Sequence, residues 1–519
     1  LNLNYGTVYG NPTLPALSDQ STLGTVLTTL GDNIVINISA SGLVAGQFPL
    51  IKYAGAIGGA GFGALKLGQV PPGVIAKLVN NTANGSVDLD ISLVVRALSW
   101  AGNVNGDWDI NTTANWRDPF YVSSTYLEYG TTNLVGDIVT FDDTLDVGGL
   151  NTNINLTTTL HPAVVNVDNN VYDYVFGGPG KFSGETVLNK SGGAGLIINT
   201  ANDHTGGAAI MGGAVLVGND AALGTGTVAL GGGMVAAYGG SRTLANSFTG
   251  LGSSPANWGV TNGNLTLTGT YTSSGANDAF LYGGGDLVIK SVLSFDATGG
   301  WDIYKSRLVL DGGSATNADD GIRLHAEGTT AELVIRNNGI YEVGRRSGSP
   351  NIRLGQVAYE AGTNILRMES GLFLMRDYAA AILVGDKTST TGMVYQTGGT
   401  IRFLNLRAAG GVAFGSQSDA YGEYHLDGGV LETPRVYQAT GAYGTFFFNG
   451  GTLRVSTNTY ATTFFSPPAA VIQAGGAVID TAGFDVTVVT GLSGVGGLTK
   501  VGLGTLTLGG ASSYAGPTL

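Results

Sequence analysis

The chain has no cysteine, few charges and no long apolar run. Without cysteine there is no disulfide framework and no thiolate-held metal, which agrees with export, where a stray thiol is a hazard. Charged residues make up 12% of 519, about half of ordinary usage. The balance is acidic, with a formal net charge of −13. That argues against nucleic acid as a partner, because phosphate binding needs a basic face. No apolar stretch is long enough for a membrane helix, and we find no charged-then-apolar leader and no set of closing barrel strands. We therefore expect a segment that does not insert into a membrane, and a mature piece or window of something longer. Helical periodicity is missing too: nowhere do apolar residues recur at helical spacing for three turns.

What the chain does have is glycine, 86 residues of it. No three-residue period accompanies the glycine, which excludes a collagen-like helix, and a hydrophobic content of 43% argues against disorder. Many short strands punctuated by glycine corners satisfy both facts.

The stretch that organises the reading is the last one. Residues 498–510 read LTKVGLGTLTLGG and lead into Tyr514, Gly516 and Thr518. A looser copy, LNKSGGAGLII, occupies residues 188–198. Leu188 and Leu498, Lys190 and Lys500, Gly192 and Gly502, Leu196 and Leu506, and Gly206 and Gly516 are each 310 apart. His204 takes the place that Tyr514 has in the second copy, and reads as a structural substitution.

These residues resemble the passenger-associated transport repeat of bacterial autotransporter-type surface proteins, with a pattern close to L-T-K-x-G-x-G-T-L-T-L followed by Y-x-G-x-T. The resemblance implies a parallel β-solenoid outside a Gram-negative-type cell, extracellular or on the cell surface, and does not identify an activity. Residues 1–96, through Leu78-Val79-Asn80-Asn81-Thr82 and Ser86-Val87-Asp88-Leu89, resemble the closing part of a repeat module in the same class. There Asn84-Gly85 supplies a tight turn into the half-buried strand at 86–91. Residues 97–145 hold Trp100, Trp108 and Trp116 and resemble a module-opening segment. Clustered tryptophans suit sugar stacking, but they also plug module joints or open solenoid ends, and we favour the plug.

Residues 146–519 read as the solenoid, with repeats at 188–231, 350–455 and 497–519. Its clearest period is 30 residues. Gly355, Gly385 and Gly415 each close an apolar strand, and Gly362, Gly392 and Gly422 repeat the spacing. The double glycines Gly398-Gly399 and Gly428-Gly429 are also 30 apart, while the earlier Ser370-Gly371 slips by two. Each period holds three strand-like runs, so three strands and three turns make one coil. The fold class is accordingly all-β, a parallel β-helix or β-solenoid with glycine-rich corners. Val394 and Ile401 are expected to build interior ladders.

Parallel β-helices can host lyases and hydrolases, so carboxylates need weighing. Asp142, Asp143 and Asp146, and Asp311 with Asp319 and Asp320, are the densest groups. Neither has the ordered spacing of a calcium loop, and Asp favours turns for local reasons. The four histidines, His161, His204, His325 and His425, form no metal-spaced pair. Arg323, Arg336, Arg345, Arg346, Arg353, Arg367 and Arg376, interspersed with Glu342, Glu360 and Glu369, suit outward ion-pair ladders better than a grip on an acidic glycan. We expect no catalytic residue, cofactor or metal. The expected function is a non-enzymatic structural segment of a repetitive surface or filament protein. A glycan-binding adhesin and a polysaccharide lyase or hydrolase are the alternatives. The expected partners are copies of itself or adjacent repeats end to end, with glycans as a further class. The chain opens in a strand-like run and stops inside the second repeat copy, so we expect an end-to-end joint between Leu1, Leu3 and Tyr5 and Leu506, Leu508 and Tyr514.

Overall fold

The computed structural model describes residues 2–7, 21–22, 26–41, 43, 45–71, 74–130, 134–144, 151–252, 254–261, 263–273, 278–295, 299–317, 321–344, 351–376, 381–404, 410–439 and 441–519. Among them there is no α-helix, only strands, turns and two short 3-10 turns, Phe62–Ala64 and Ala461–Thr463. The contacts divide the chain into two compact units. One comprises Leu1–Asp168 with Gly178–Leu188, the other Asn169–Gly177 with Asn189–Leu519.

The larger unit is a parallel β-solenoid with three faces. The first face runs from strand Ala208–Ile210 to Leu498–Val501, and the second from Tyr174–Gly177 to Leu506–Leu508. The third is an eleven-stranded sheet from Arg242–Leu244 to Leu492–Gly494. A representative coil visits Ala381–Val384 on the second face, Thr391–Gln396 on the third and Thr400–Phe403 on the first. Each pairs in parallel with its equivalent one coil on, for example Val394 with Tyr424 and Ile401 with Leu431.

The sequence pattern explains this. Thr391–Gln396 alternates half-buried and buried side chains along its length. Alternate residues of a strand point to opposite sides, so Val394 and Gln396 face inward and Met393 and Tyr395 outward. Ile401, Leu431, Leu453 and Ile479 occupy one register column and are all fully buried. Each such side chain contributes about 1.5–3 kcal/mol relative to an exposed one, which is what holds coil on coil. Gln396 is the polar exception. Its Nε2 donates to the carbonyl of Val430 (2.9 Å) and its Oε1 accepts from the Tyr424 hydroxyl (2.6 Å), so burial leaves neither end unpaired.

The 30-residue period needs one correction. Ile352, Ile382 and Val412 are register partners, as the spacing predicts. On the third face, however, Gly392 pairs with Asn364 and Gly422, not with Gly362. The stretch between Leu354 and Thr363 is two residues longer than its equivalents after Val384 and Phe414, so a count from Gly362 overshoots. The slip at Ser370-Gly371 is the downstream trace of the same extra length.

The smaller unit differs from a pure parallel coil. Gly46–Lys52 and Val74–Asn81 both pair antiparallel with Ser86–Val94, and the Asn84-Gly85 turn closes the second of these pairs. Asn2–Thr7 lies parallel to Ile34–Ser41, which in turn pairs with Leu65–Leu67. Trp100, Trp108 and Trp116 are buried to 1% or less. Their rings pack on one another at 4.9–5.0 Å and on Phe141 at 5.5–5.6 Å. With both faces packed inside the unit, they do not offer themselves to a sugar.

Candidate functional site

The repeat motif is a conformational unit. In both copies the lysine lies within a strand, Val187–Ser191 or Leu498–Val501, and turns its ammonium back onto corner carbonyls. Lys190 is fully buried, and its Nζ donates to the carbonyls of Ser191 (2.5 Å) and Gly192 (3.2 Å). Lys500 Nζ donates to the carbonyl of Gly502 at 2.8 Å. Gly192 and Gly502 have φ of +73° and +78°, and the chain then enters the second face at Leu196 and Leu506.

Among the corners read from the sequence, Gly355, Gly385, Gly415, Gly399 and Gly429 all have positive φ, while Gly398 and Gly428 do not. Gly429 is the tightest constraint. At φ +69°, a Cβ there would lie 2.3 Å from the carbonyl oxygen of Gly399 in the coil beneath. Gly428 is closed for space alone, its Cβ position being 2.3 Å from the carbonyl of Thr397. The sequence reading missed a second corner signal. Tyr359, Ser389 and Asp419 also adopt left-handed φ, near +60° in each case, and they too lie 30 apart. Their spacing was visible, but no residue type advertised it.

Of the proposed joint, Leu1 lies outside the described residues. Leu3 and Tyr5 belong to strand Asn2–Thr7 of the smaller unit. Leu506 and Leu508 pair with Val486 and Val488, and the Tyr514 hydroxyl lies 2.6 Å from that of Thr518.

Outward side chains are where a solenoid meets its surroundings, and here they stack in columns along two faces. On the third face Arg367, Tyr395, His425 and Phe447 are successive register partners. The guanidinium sits 5.0 Å from the Tyr395 ring, Tyr395 is 4.9 Å from His425, and His425 is 4.6 Å from Phe447. Glu423 holds the histidine at 2.9 Å.

On the second face two columns run side by side. One reads Asn257, Phe280, Asp302, Arg323, and the other Gly259, Tyr282, Tyr304, His325. Tyr282 and Tyr304 stack at 5.1 Å and Tyr304 and His325 at 4.3 Å, with Phe280 leaning on both tyrosines at 6.1–6.3 Å. Asp302 fixes the far end. It accepts from Arg323 Nε and Nη2 at 2.8 and 2.7 Å and lies 2.9 Å from His325 Nε2. Although burial works the other way, these donors hold its carboxyl below the usual carboxylate range. Burial, then the Asp302 charge, push the Tyr304 phenol up to about 12 and raise Tyr282 as well, so both hydroxyls remain protonated donors.

The arginine-rich region forms ion pairs, but mostly with partners other than the glutamates read beside it. Arg336 meets Asp311, Arg353 meets Asp386, Arg367 meets Glu332 and Arg376 meets Glu342. Only Glu342 of the three named glutamates is among these partners. Farther on, Arg402–Glu432 and Arg454–Asp480 continue the pattern on the first face. Arg345, Arg346, Asp146, Asp319 and Asp320 lie outside the described residues. Asp311 is occupied by Arg336, Asn337 and Lys290. Among the described residues no cluster of three or more His, Asp or Glu is arranged to hold a metal. No family model, curated protein or solved structure matches the chain.

Proposed function

We propose that this chain is a non-enzymatic structural solenoid, a rod-like segment of an extracellular, autotransporter-type surface or filament protein that joins end to end with further coils. The observation that carries this reading is the way each coil is completed by the next. Val486 and Val488 are 3% and 0% exposed beneath the strand Leu506–Leu508, and Ile401, Leu431, Leu453 and Ile479 form one fully buried column from coil to coil. Any solenoid edge offers its ladder donors and acceptors to a further coil in the same way. A neighbouring repeat of the same long chain or a second copy can supply it; a head-to-tail contact that does not close on itself propagates as a filament. The outward ion-pair columns support the same reading, because they bind coil to coil and keep the faces soluble. Electron microscopy of native material tests it. Long unbranched fibres or rods are the expected result, and isolated particles that stay monodisperse at high concentration would refute it.

A further inference from the structure

The second-face strip carries more than a rod requires. Aromatic rings outside a solenoid cost solubility, and three successive coils place Phe280, Tyr282 and Tyr304 there beside a locked carboxylate and guanidinium. We propose that this strip is a binding platform for a neutral polysaccharide lying along the solenoid axis, with one pyranose unit seated against the exposed part of Tyr282.

Three observations support it. Tyr282 is 39% exposed, whereas its column neighbour Gly259 is buried beside Ala236 and Met234, so Tyr282 stands proud of that end of the strip. A pyranose offers axial C–H bonds to such a ring and hydroxyls to its rim. The rim is furnished accordingly. The Tyr282 and Tyr304 phenols donate, and Asp278, 37% exposed, accepts from the Gly300 amide (3.0 Å) and from Arg323 (3.3 Å) while keeping further lone pairs. Few polar groups around an aromatic floor is the ordinary composition of a small-ligand site. The strip is also preorganised, since Asp302 clamps Arg323 and His325 before any ligand arrives. Charge then selects the class. Asp278, Asp302 and Glu327 outnumber Arg323 and Lys305 around the rings, so a uronate chain would be repelled and a neutral one would not.

Affinity electrophoresis of the whole chain through gels containing a neutral β-glucan, a mannan, a galactan or polygalacturonate tests the proposal. Retardation by at least one neutral polymer and none by polygalacturonate is expected. Tyr282→Ala should weaken retardation about tenfold, whereas Tyr282→Phe should keep most of it and Tyr395→Ala, on the third face, all of it. Asp278→Ala is a second variant that leaves every ring in place and should also weaken binding. Melting curves confirm that each variant is folded. No retardation by any neutral polymer, equal retardation by polygalacturonate, or retardation that survives both Tyr282→Ala and Asp278→Ala would overturn the proposal. Fibre formation is read separately, so failure here leaves the structural reading standing, and the reverse.

Discussion

Replacing Gly429 by alanine tests whether the corners hold coils together by close approach as well as by backbone conformation. Two costs are foreseen. The left-handed φ of +69° penalises any Cβ by about 1–2 kcal/mol. The added carbon would also lie 2.3 Å from the Gly399 oxygen and 2.5 Å from the Gly398 carbonyl carbon, both backbone atoms that cannot rotate away. Relief requires lifting the corner off the coil beneath, which loosens the 2.9 Å bond from the Val430 amide to the Gly399 carbonyl, worth about 1 kcal/mol. The sum is about 2–3 kcal/mol. Ser389→Gly is the control. Ser389 has φ +59° and is exposed, so glycine relieves strain of about 1 kcal/mol and adds unfolded-state entropy of about the same size, leaving little net change. Ser416 would be a poor control, because its hydroxyl donates to the Asp386 carbonyl at 2.9 Å and to its carboxylate. Hydrogen exchange is the better assay, since coils open locally and one global unfolding energy is ill defined for a repeat array. Protection should fall at Val430 and Thr400 in Gly429→Ala and stay unchanged in Ser389→Gly. Equal effects of the two would refute the close-approach argument.

Acid should loosen the first repeat copy. Burial depresses the His204 imidazole from 6.5 to about 4, with Asp203 opposing. Its folded pKa lies below the unfolded one, so the unfolded state binds more protons between those values, and stability falls as pH drops from about 6.5 to 4, by roughly 3 kcal/mol at most. His204→Tyr, the residue type at Tyr514, should flatten that slope in pH-dependent exchange around residues 196–210. Arg353→Ala should cost about 2–4 kcal/mol in a melt, because Asp386 is fully buried and would lose its ionic partner. Arg402→Ala, whose side chain is 42% exposed opposite Glu432, should cost at most about 1 kcal/mol. Trp108→Ala should destabilise the smaller unit by about 3–5 kcal/mol and leave polysaccharide retardation untouched.

Much of this fold was legible because one physical pattern repeats. Alternation in Thr391–Gln396 and glycine after each apolar run identify strands and corners without reference to any distant contact. Pairing was less legible. Gly362, Gly392 and Gly422 match in spacing, yet register is set by which side chains interlock, and two extra residues before Thr363 displaced the count. The antiparallel pairing of Gly46–Lys52 with Ser86–Val94 joins segments whose alternation fits a parallel neighbour equally well. The second-face strip was illegible for a different reason. Phe280, Tyr282, Tyr304 and His325 are separated by one whole coil or by one residue, and only the coil lengths bring them into two columns. For the same cause His325 was read only as one of four histidines that form no metal-spaced pair.

A pair of cysteines introduced into this cysteine-free chain tests coil-on-coil stacking most directly. Arg402 and Glu432 are register partners on the outer side of the first face, about 4.8 Å apart by strand spacing, inside the Cα range a disulfide tolerates. Arg402→Cys with Glu432→Cys should oxidise quantitatively within one chain. Arg402→Cys with Glu423→Cys, which places the second thiol on the third face, should stay reduced. Oxidation of both pairs alike, or of the second alone, would contradict the parallel ladder on which the structural reading rests.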